Sequence, residues 1–372
     1  MRRLAAGLLA LIVLISCAAV YAASGGESLI TQTYLEEAYV PGVLEQAQAR
    51  VEEKTQSIYQ SASSVLEGRH SAYLNGGSSA SALTDYRFKE GDVLTLPAGS
   101  GVLLLAGGAS VSTGTLVDVT AGTALSAGAA LTARHRGLAA EGGGTVTVTS
   151  DTAVLSLEGT YTIVPGSGVD YNALADALRD MGLFQGTGTA YGSGYDLEVA
   201  PTRLVGLVMF LRLIGEEGAA LSSTAANPFV DTPAWCDRYV AYAYEQGYTQ
   251  GIGPGLDGRL YFGANTNITA GEYVTFLLRA LGYTDSGTSP DFTWSTALDR
   301  AVELGVLTSA ERTALNSGSF LRAQVVYLSY FALSVPLKDG SGILLDKTAA
   351  SSGVDKSQLQ AVMDGVAVSR LS

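Results

Sequence analysis

One sequence pattern occurs three times in the second half of this chain. Each copy has an apolar, helix-like run that ends at a glycine, and these glycines are Gly182, Gly247 and Gly305. A second landmark follows each glycine, and its three versions are Pro201-Thr202-Arg203, Ile268-Thr269-Ala270-Gly271-Glu272 and Phe320-Leu321-Arg322-Ala323-Gln324. A repeat of roughly 50 residues is one supersecondary unit that cannot bury its apolar face alone, so the copies are expected to pack on one another.

A third position recurs ten residues after Thr202, Thr269 and Leu321. It holds Arg212, Arg279 and Phe331 in the three copies. These positions lie on the second helix of each copy, and the two arginines are expected to face solvent or a neighbouring copy. The predicted bounds are 168–218 for copy 1, 226–286 for copy 2 and 288–336 for copy 3, with a tail over 337–372.

These residues resemble the S-layer homology repeat of bacterial surface proteins. The match is fullest in copy 2, where Phe229-Val230-Asp231 opens the repeat and Trp235 begins the first helix. There, Ile268-Thr269-Ala270-Gly271-Glu272 stands where the family usually shows Ile-Thr-Arg-Ala-Glu. Copy 3 supplies Trp294 and Arg322. The resemblance covers near half of the chain.

The resemblance implies an all-α module of three repeats that anchors a secreted protein to a pyruvylated polysaccharide attached to peptidoglycan. In that family the arginine of the Thr-Arg landmark, the aspartate of Phe-x-Asp and the backbone amides after the first-helix glycine line grooves between repeats. The glycan-binding residues that this implies are Arg203, Arg322, Thr202, Thr269, Glu272, Asp231, Trp235, Trp294, Gly186 and Gly251.

The chemistry of these side chains suits an anionic sugar. A guanidinium makes forked hydrogen bonds to a carboxylate, and a tryptophan offers an apolar plate to a sugar face. No copy is complete, however, because Val205 replaces the glutamate, Ala270 the arginine and Leu321 the threonine. Two grooves at most retain a guanidinium. The alternative is that the threonines are helix N-caps and the module is a scaffold.

The first residues read as a signal peptide, predicted over 1–22. Met1-Arg2-Arg3 precedes an apolar run that ends near Val20, and Ala22 is a small residue at the expected cleavage site. Leu14-Ile15-Ser16-Cys17 also fits a lipobox, so a lipoprotein attached through Cys17 is the alternative. The sequence therefore predicts a secreted protein of the cell wall or S-layer, with no membrane span after cleavage.

The charge of the chain excludes some partners. The sequence has 22 basic and 35 acidic residues, a formal net charge of −13. Nucleic acids and anionic lipid surfaces demand a basic face, so neither is an expected partner. The expected partner is wall polysaccharide or peptidoglycan, and self-association stays open.

Two further zones precede the repeats. The segment 23–74 favours helix, is interrupted by Pro41-Gly42, and is predicted to be a stalk or a packed helix rather than a coiled coil. The segment 79–166 is rich in Gly, Thr, Ser and Val, with alternating runs such as Thr145–Thr149 between glycine turns. That pattern predicts an all-β sandwich or barrel-like domain. The predicted fold class is thus multi-domain α + β.

The sequence has few candidate catalytic residues. The two histidines, His70 and His135, lie in different zones, and Cys236 reads as a small apolar filler. The sequence has no Cys/His cluster with metal-ligand spacing and no Gly-x-Ser-x-Gly motif. A protein that is not an enzyme and needs no cofactor is predicted. The alternatives are a secreted carbohydrate-active hydrolase, which needs two facing carboxylates in a β-domain cleft, and a purely structural surface-assembly subunit.

Overall fold

The computed structural model describes residues 39–56 and 82–372. The chain forms two compact units, Met1–Ser79 and Ala80–Ser372. In the first unit, residues 40–56 form one helix, α1. Pro41 lies in its first turn, where the missing N–H would be unpaired in any case. The predicted interruption at Pro41-Gly42 stays a prediction, because the residues before 39 lie outside the described part of the chain. The predicted signal peptide, Cys17 and His70 lie outside the described residues.

The second unit begins with one antiparallel sheet of eight strands, curled into a half-barrel. The strands are β1 Thr84–Lys89, β2 Val93–Leu96, β3 Gly101–Ala106, β4 Ala109–Asp118, β5 Thr123–Ser126, β6 Arg136–Val148, β7 Thr152–Glu158 and β8 Thr162–Val164. Their order is β1-β7-β3-β6-β2-β8, and β4 pairs with β5 and β6. The predicted mixture of α and β structure is confirmed, with a single curled sheet as the β part.

Two glycines let strands β4 and β6 cross closely. Gly114 has φ +75° and Gly143 has φ +71°. A Cβ on Gly114 would lie 2.3 Å from the Gly143 carbonyl oxygen, and the strand register shifts between Gly114 and Leu116. Because only glycine accepts both the close approach and the positive φ, the sheet bends here and closes over its core.

The helices of the second unit follow the sheet. They are α2 Tyr171–Asp180, α3 Arg203–Leu213, α4 Glu217–Ser222, α5 Asp237–Glu245, α6 Ala270–Ala280, α7 Ala297–Glu303, α8 Ser309–Ser317, α9 Arg322–Ala332, α10 Leu344–Ser352 and α11 Lys356–Asp364. A two-stranded ribbon, β9 Gly253–Pro254 and β10 Leu260–Tyr261, lies between α5 and α6. The first helices of the three copies are α2, α5 and α7, and the second helices are α3, α6 and α9.

The first helix of each copy ends in the same way. Gly182, Gly247 and Gly305 have φ of +76°, +74° and +72°. The residue after each glycine donates its N–H, at 2.8 Å, to a carbonyl in the last turn of the helix, at Leu178, Ala243 and Ala301. This bond and the left-handed glycine define the Schellman motif. The recurrence seen in the sequence is therefore a recurrence of structure.

The three copies close into a ring around the second helices. The backbone N–H of Arg203, at the start of α3, donates to Thr266 of copy 2 at 2.7 Å. The N–H of Arg322, at the start of α9, donates to Val199 of copy 1 at 2.9 Å. Copies 2 and 3 meet where the Tyr273 hydroxyl bonds the Ser329 hydroxyl at 2.6 Å. The copies share one apolar core, as the repeat length predicts.

The segment 337–372 is not the simple tail that the sequence predicts, since it contains α10 and α11. The Thr348 hydroxyl of α10 donates to the Leu213 carbonyl at the end of α3 at 3.1 Å, and Thr348 is fully buried. Leu345 and Leu359 are buried in the same core as the repeats. The two helices therefore extend the ring of repeats.

The sheet packs directly on the helical ring. Arg87 of β1 makes a forked pair with Asp176 of α2 at 3.1 and 2.7 Å, and Asn172 donates to the Phe88 carbonyl at 3.1 Å. Gln324 of α9 donates to Asp151 at 2.5 Å.

Among the described residues, no helix is both long and apolar enough to cross a membrane.

Candidate functional site

A cavity of ≈330 Å³ opens where residues of all three copies meet. Copy 1 contributes Arg203, copy 2 contributes Gly251, Glu272 and Arg279, and copy 3 contributes Trp294. The sequence prediction named four of these five residues as glycan-binding. Arg203 begins α3 and Glu272 lies in the first turn of α6, and the contact between copies 1 and 2 brings these two helix starts together.

Arg203 lies at the floor of this cavity and is 5% exposed. One terminal nitrogen donates to Glu272 Oε1 at 2.7 Å, and the guanidinium carbon lies 5.3 and 5.4 Å from the rings of Phe262 and Phe276. Burial, and the charge of nearby Arg279, lower the pKa of the Arg203 guanidinium, although Glu272 opposes this. Its Nε is buried with no hydrogen-bond partner among the described residues. A buried donor without a partner is costly.

Arg279 lines the same cavity, so of the two predicted settings, solvent or a neighbouring copy, it does not have the first. Its side chain is 9% exposed and forms a forked pair with Asp285 at 3.0 and 2.6 Å. It also donates to the Tyr248 carbonyl at 2.7 Å. Arg212, its counterpart in copy 1, pairs with Glu217 at 2.8 Å. In both copies an acidic residue lies a few positions after the arginine in the sequence, Glu217 after Arg212 and Asp285 after Arg279. This spacing is the sequence feature that could have predicted the two ion pairs.

Trp294 forms the exposed rim of the cavity. It is 79% exposed, and it also borders a second cavity of ≈360 Å³ together with Glu272 and Thr275. Trp235, which lies in the corresponding short helix of copy 2, Ala234–Cys236, is 64% exposed. Large exposed aromatic rings are unfavourable in water, so each offers a flat apolar contact for a ligand.

Asp231 shapes the loop beside the cavity. It accepts the backbone N–H groups of Phe262, Gly263 and Ala264 at 2.7, 2.7 and 3.1 Å. This loop includes Phe262, whose ring lies 5.3 Å from the Arg203 guanidinium carbon. The carboxylate thus has three donors within the chain, so Asp231 is a loop-holding residue, and contact with a glycan stays a prediction.

The two predicted threonines begin the second helices. Thr202 Oγ1 accepts the Val205 N–H at 3.3 Å, and Thr269 Oγ1 accepts the Glu272 N–H at 3.3 Å. Glu272 Oε2 in turn accepts the Thr269 N–H at 2.8 Å, which completes a capping box. Glu272 therefore caps α6 with one oxygen and holds Arg203 with the other.

Gly186 and Gly251 occupy equivalent turns. The residue after each donates across the turn, Thr187 to Gly194 at 2.7 Å and Ile252 to Tyr261 at 2.8 Å. A Cβ on Gly186 would lie 2.2 Å from the Gly194 carbonyl oxygen. Both glycines are required by close backbone packing. Glycan contact through these turns stays a prediction.

Arg322 lies in a different setting from Arg203. It is 4% exposed, and its donors point to the carbonyls of Tyr195 and Gln185, at 2.9 and 3.2 Å, and to the Met209 sulfur at 3.5 Å. Burial lowers the pKa of its guanidinium to about 10. Each donor nitrogen already has a partner within the chain, which favours a structural role.

The β-domain cleft offers the acidic groups that a hydrolase would need. A cleft of ≈660 Å³ between β1 and α2 is lined by Asp85, Asp92, Asp170 and Asp176, among others. Each of the four has a partner: Asp85 bonds Ser156, Asp92 pairs with Lys89, Asp170 caps α2 and Asp176 pairs with Arg87. Although burial opposes it, hydrogen bonds from Arg87 and Tyr195 lower the pKa of Asp176. A general acid needs a raised pKa, so Asp176 does not suit that role.

The remaining candidates have structural partners. His135 Nδ1 lies 2.8 Å from Asp118 Oδ2 in a turn of the β-domain. Cys236 is buried, and burial raises the pKa of its thiol to about 11. The described residues include no group of three or more His, Cys, Asp or Glu side chains placed to hold a metal ion.

Comparisons with known proteins give no family. No family model matches the chain, and no curated protein matches it. Among solved structures, fatty-acid-bound wild-type ToxT from Vibrio cholerae strain SCE256 is 12% identical, with a TM-score of 0.15, over 77% of this chain and 91% of that chain. An apo ToxT variant from the same strain is 12% identical, with a TM-score of 0.13, over 77% of this chain and 93% of that chain. At these TM-scores the likeness carries no argument.

Proposed function

We propose that this protein is exported to the cell envelope and attaches non-covalently to a pyruvylated wall polysaccharide through its three S-layer homology-like copies. One observation carries the proposal. Within the described residues, Arg203 has a buried Nε without a hydrogen-bond partner, in a cavity that the exposed ring of Trp294 also lines. A guanidinium that can bind a carboxylate, next to an aromatic ring that can pack on a sugar face, suits an acidic sugar.

The charges of the cavity favour a carboxylate over a neutral sugar. Arg203 forms an ion pair with Glu272, the one ion pair that it makes among the described residues, and Glu272 is one-third exposed and also caps α6. An incoming carboxylate can therefore replace Glu272 at Arg203 while Glu272 keeps its bond to Thr269. A buried guanidinium gains more from a forked anionic partner than from a single shared one.

Trp294 gives the sharper test because its exposed ring contributes little to the fold. The full chain and its Trp294→Ala variant are sedimented with peptidoglycan sacculi that retain their polysaccharide. We expect about tenfold weaker binding for the variant, the loss of roughly 1.4 kcal/mol of stacking. Trp235→Ala is the comparison variant, because this second exposed tryptophan lies outside the lining of the Arg203 cavity, and we expect a smaller loss of binding than for Trp294→Ala.

Two outcomes would remove the support for this cavity. Equal binding by the wild type and the Trp294→Ala variant would mean that the cavity does not hold the glycan. A larger loss for Trp235→Ala than for Trp294→Ala would place the binding surface on copy 2 instead.

A further inference from the structure

Copy 3 holds an arginine that comes from outside the repeat. Arg370 makes a forked pair with Glu311 of α8, with Nε to Oε1 at 2.6 Å and a terminal nitrogen to Oε2 at 2.8 Å. The same nitrogen also donates to the Val306 carbonyl. The guanidinium carbon lies 5.7 Å from the ring centre of Phe331, and the Glu311 side chain is 1% exposed. Glu311, the Val306 carbonyl and the Phe331 ring thus form an acidic pocket that holds one guanidinium.

The backbone next to Arg370 is held from both sides. The Leu371 N–H donates to the Tyr327 hydroxyl at 2.8 Å, and the Thr308 hydroxyl donates to the Leu371 carbonyl at 2.7 Å. The Tyr327 hydroxyl itself donates to Glu311 Oε1 at 2.7 Å. Leu371 also borders a cavity of ≈200 Å³ lined in part by Tyr171 and Phe320. The N–H and the C=O of one residue are thus both held by side chains of copy 3, as in sites that bind extended peptides.

The other two copies explain why copy 3 has room for this segment. Arg212 and Arg279 occupy the position ten residues beyond the landmark in copies 1 and 2, and each pairs with an acidic side chain of its own copy. Copy 3 has Phe331 there, so Glu311 would be buried without a basic partner if Arg370 were absent. A buried, unpaired carboxylate is strongly unfavourable.

We propose that copy 3 carries a peptide-binding site for a short extended segment with arginine followed by a leucine-like residue, and that residues 369–371 of this chain fill it. Binding within the chain has an effective concentration near millimolar, so a free peptide competes poorly with the resident segment. The same segment of a second copy of the chain satisfies the same contacts once the resident one is displaced. The proposal is independent of the glycan cavity, which uses Arg203 and Trp294.

The test uses the full chain and a fluorescein-labelled peptide with the sequence of residues 366–372. Arg370→Ala weakens the resident segment, so we expect the labelled peptide to bind this variant at least about tenfold more tightly than it binds wild type. A peptide with alanine in place of its arginine should bind neither protein. Adding Glu311→Gln to Arg370→Ala should abolish binding of the unaltered peptide. Arg259→Ala removes an exposed, ion-paired arginine elsewhere and is the matched control, with peptide binding as in wild type.

Thermal unfolding of each variant is followed in parallel, and Arg370→Lys serves as the second variant because it keeps the charge but not the fork. Peptide binding to the lysine variant should lie between that to the wild type and to Arg370→Ala. Equal peptide affinity for folded Arg370 variants and wild type would overturn the proposal. So would equal affinity of the arginine and alanine peptides.

Discussion

At the residue scale, the carboxylate of Asp231 holds backbone N–H groups, so its replacement is expected to affect the fold before it affects the cavity. Asp231 accepts three backbone N–H groups from Phe262–Ala264. Replacement by alanine leaves these donors without their acceptor. The same loop includes Phe262, which contacts Arg203. Loss of the Asp231 carboxylate is therefore expected to disturb the cavity indirectly, by destabilising this loop.

Asp231→Ala is expected to lower the free energy of unfolding by about 2–3 kcal/mol, because charge-assisted hydrogen bonds to a partly buried loop are lost. Urea denaturation at pH 7 measures it. Asp257→Ala is the matched control, since Asp257 pairs with an exposed arginine on the neighbouring ribbon, and its effect should stay within about 0.5 kcal/mol. Similar stabilities of the two variants would show that the Asp231 contacts are not needed for the fold.

The sequence located most residues of the cavity but did not predict that Arg279 lines it. Arg203, Glu272 and Trp294 were predicted from the landmarks, and the structure brings them together. Arg279 was expected to face solvent or a neighbouring copy, since a helical repeat alone does not say that Asp285 draws the side chain inward. Such a partner lies outside the helix, so helical periodicity does not reveal it.

At the element scale, glycines of copy 2 are predicted to respond in opposite directions to the same change. Gly251 has φ +73°, and a Cβ there would lie 2.3 Å from the Phe229 ring and 2.4 Å from the Tyr261 carbonyl oxygen. Gly271 lies in α6, with nothing within 4 Å of an added Cβ. Position 251 needs glycine for its backbone conformation and its close contacts. Position 271 does not, and glycine there only increases the conformational entropy that the chain loses on folding.

Gly251→Ala is expected to destabilise the chain by more than about 2 kcal/mol, and Gly271→Ala to stabilise it by about 0.5–1 kcal/mol. Urea denaturation of both variants under the same conditions checks the pair. Changes of the same sign would contradict the assignment of one glycine to a strained turn and the other to a helix.

The elements themselves were predictable to different degrees. The glycine and threonine landmarks gave the ends of the repeated helices because caps are local chemistry. Helix α8 was missed, although Thr308 and Glu311 form a capping box that is visible in the sequence. The strand order of the β-domain was beyond reach, because pairing between β6 and its three neighbours depends on contacts far apart in the chain.

At the scale of the whole molecule, the Arg87–Asp176 pair is one of the contacts between the β-domain and the helical ring. The pKa of Asp176 is lowered, since hydrogen bonds from Arg87 and Tyr195 outweigh the effect of burial. A carboxylate with a depressed folded pKa contributes stability that is present above its ordinary pKa near 4 and is lost as the pH falls through the folded pKa.

Asp176→Asn should therefore be less stable than wild type at pH 7, and the difference should shrink as the pH falls from about 4 to 3. Urea midpoints of both proteins across this range check it. Asp180→Asn, at a more exposed aspartate of the same helix, is the control and should show no comparable gap. A difference that stays constant with pH would mean that ionised Asp176 does not hold this contact.

Attachment to wall polysaccharide is the central claim, and the wild-type chain tests it most directly. Purified protein is sedimented with peptidoglycan sacculi that carry their polysaccharide and with sacculi from which it has been chemically removed. The proposed function predicts saturable co-sedimentation with the first and little with the second. Equal sedimentation with both preparations, or none with either, would contradict it.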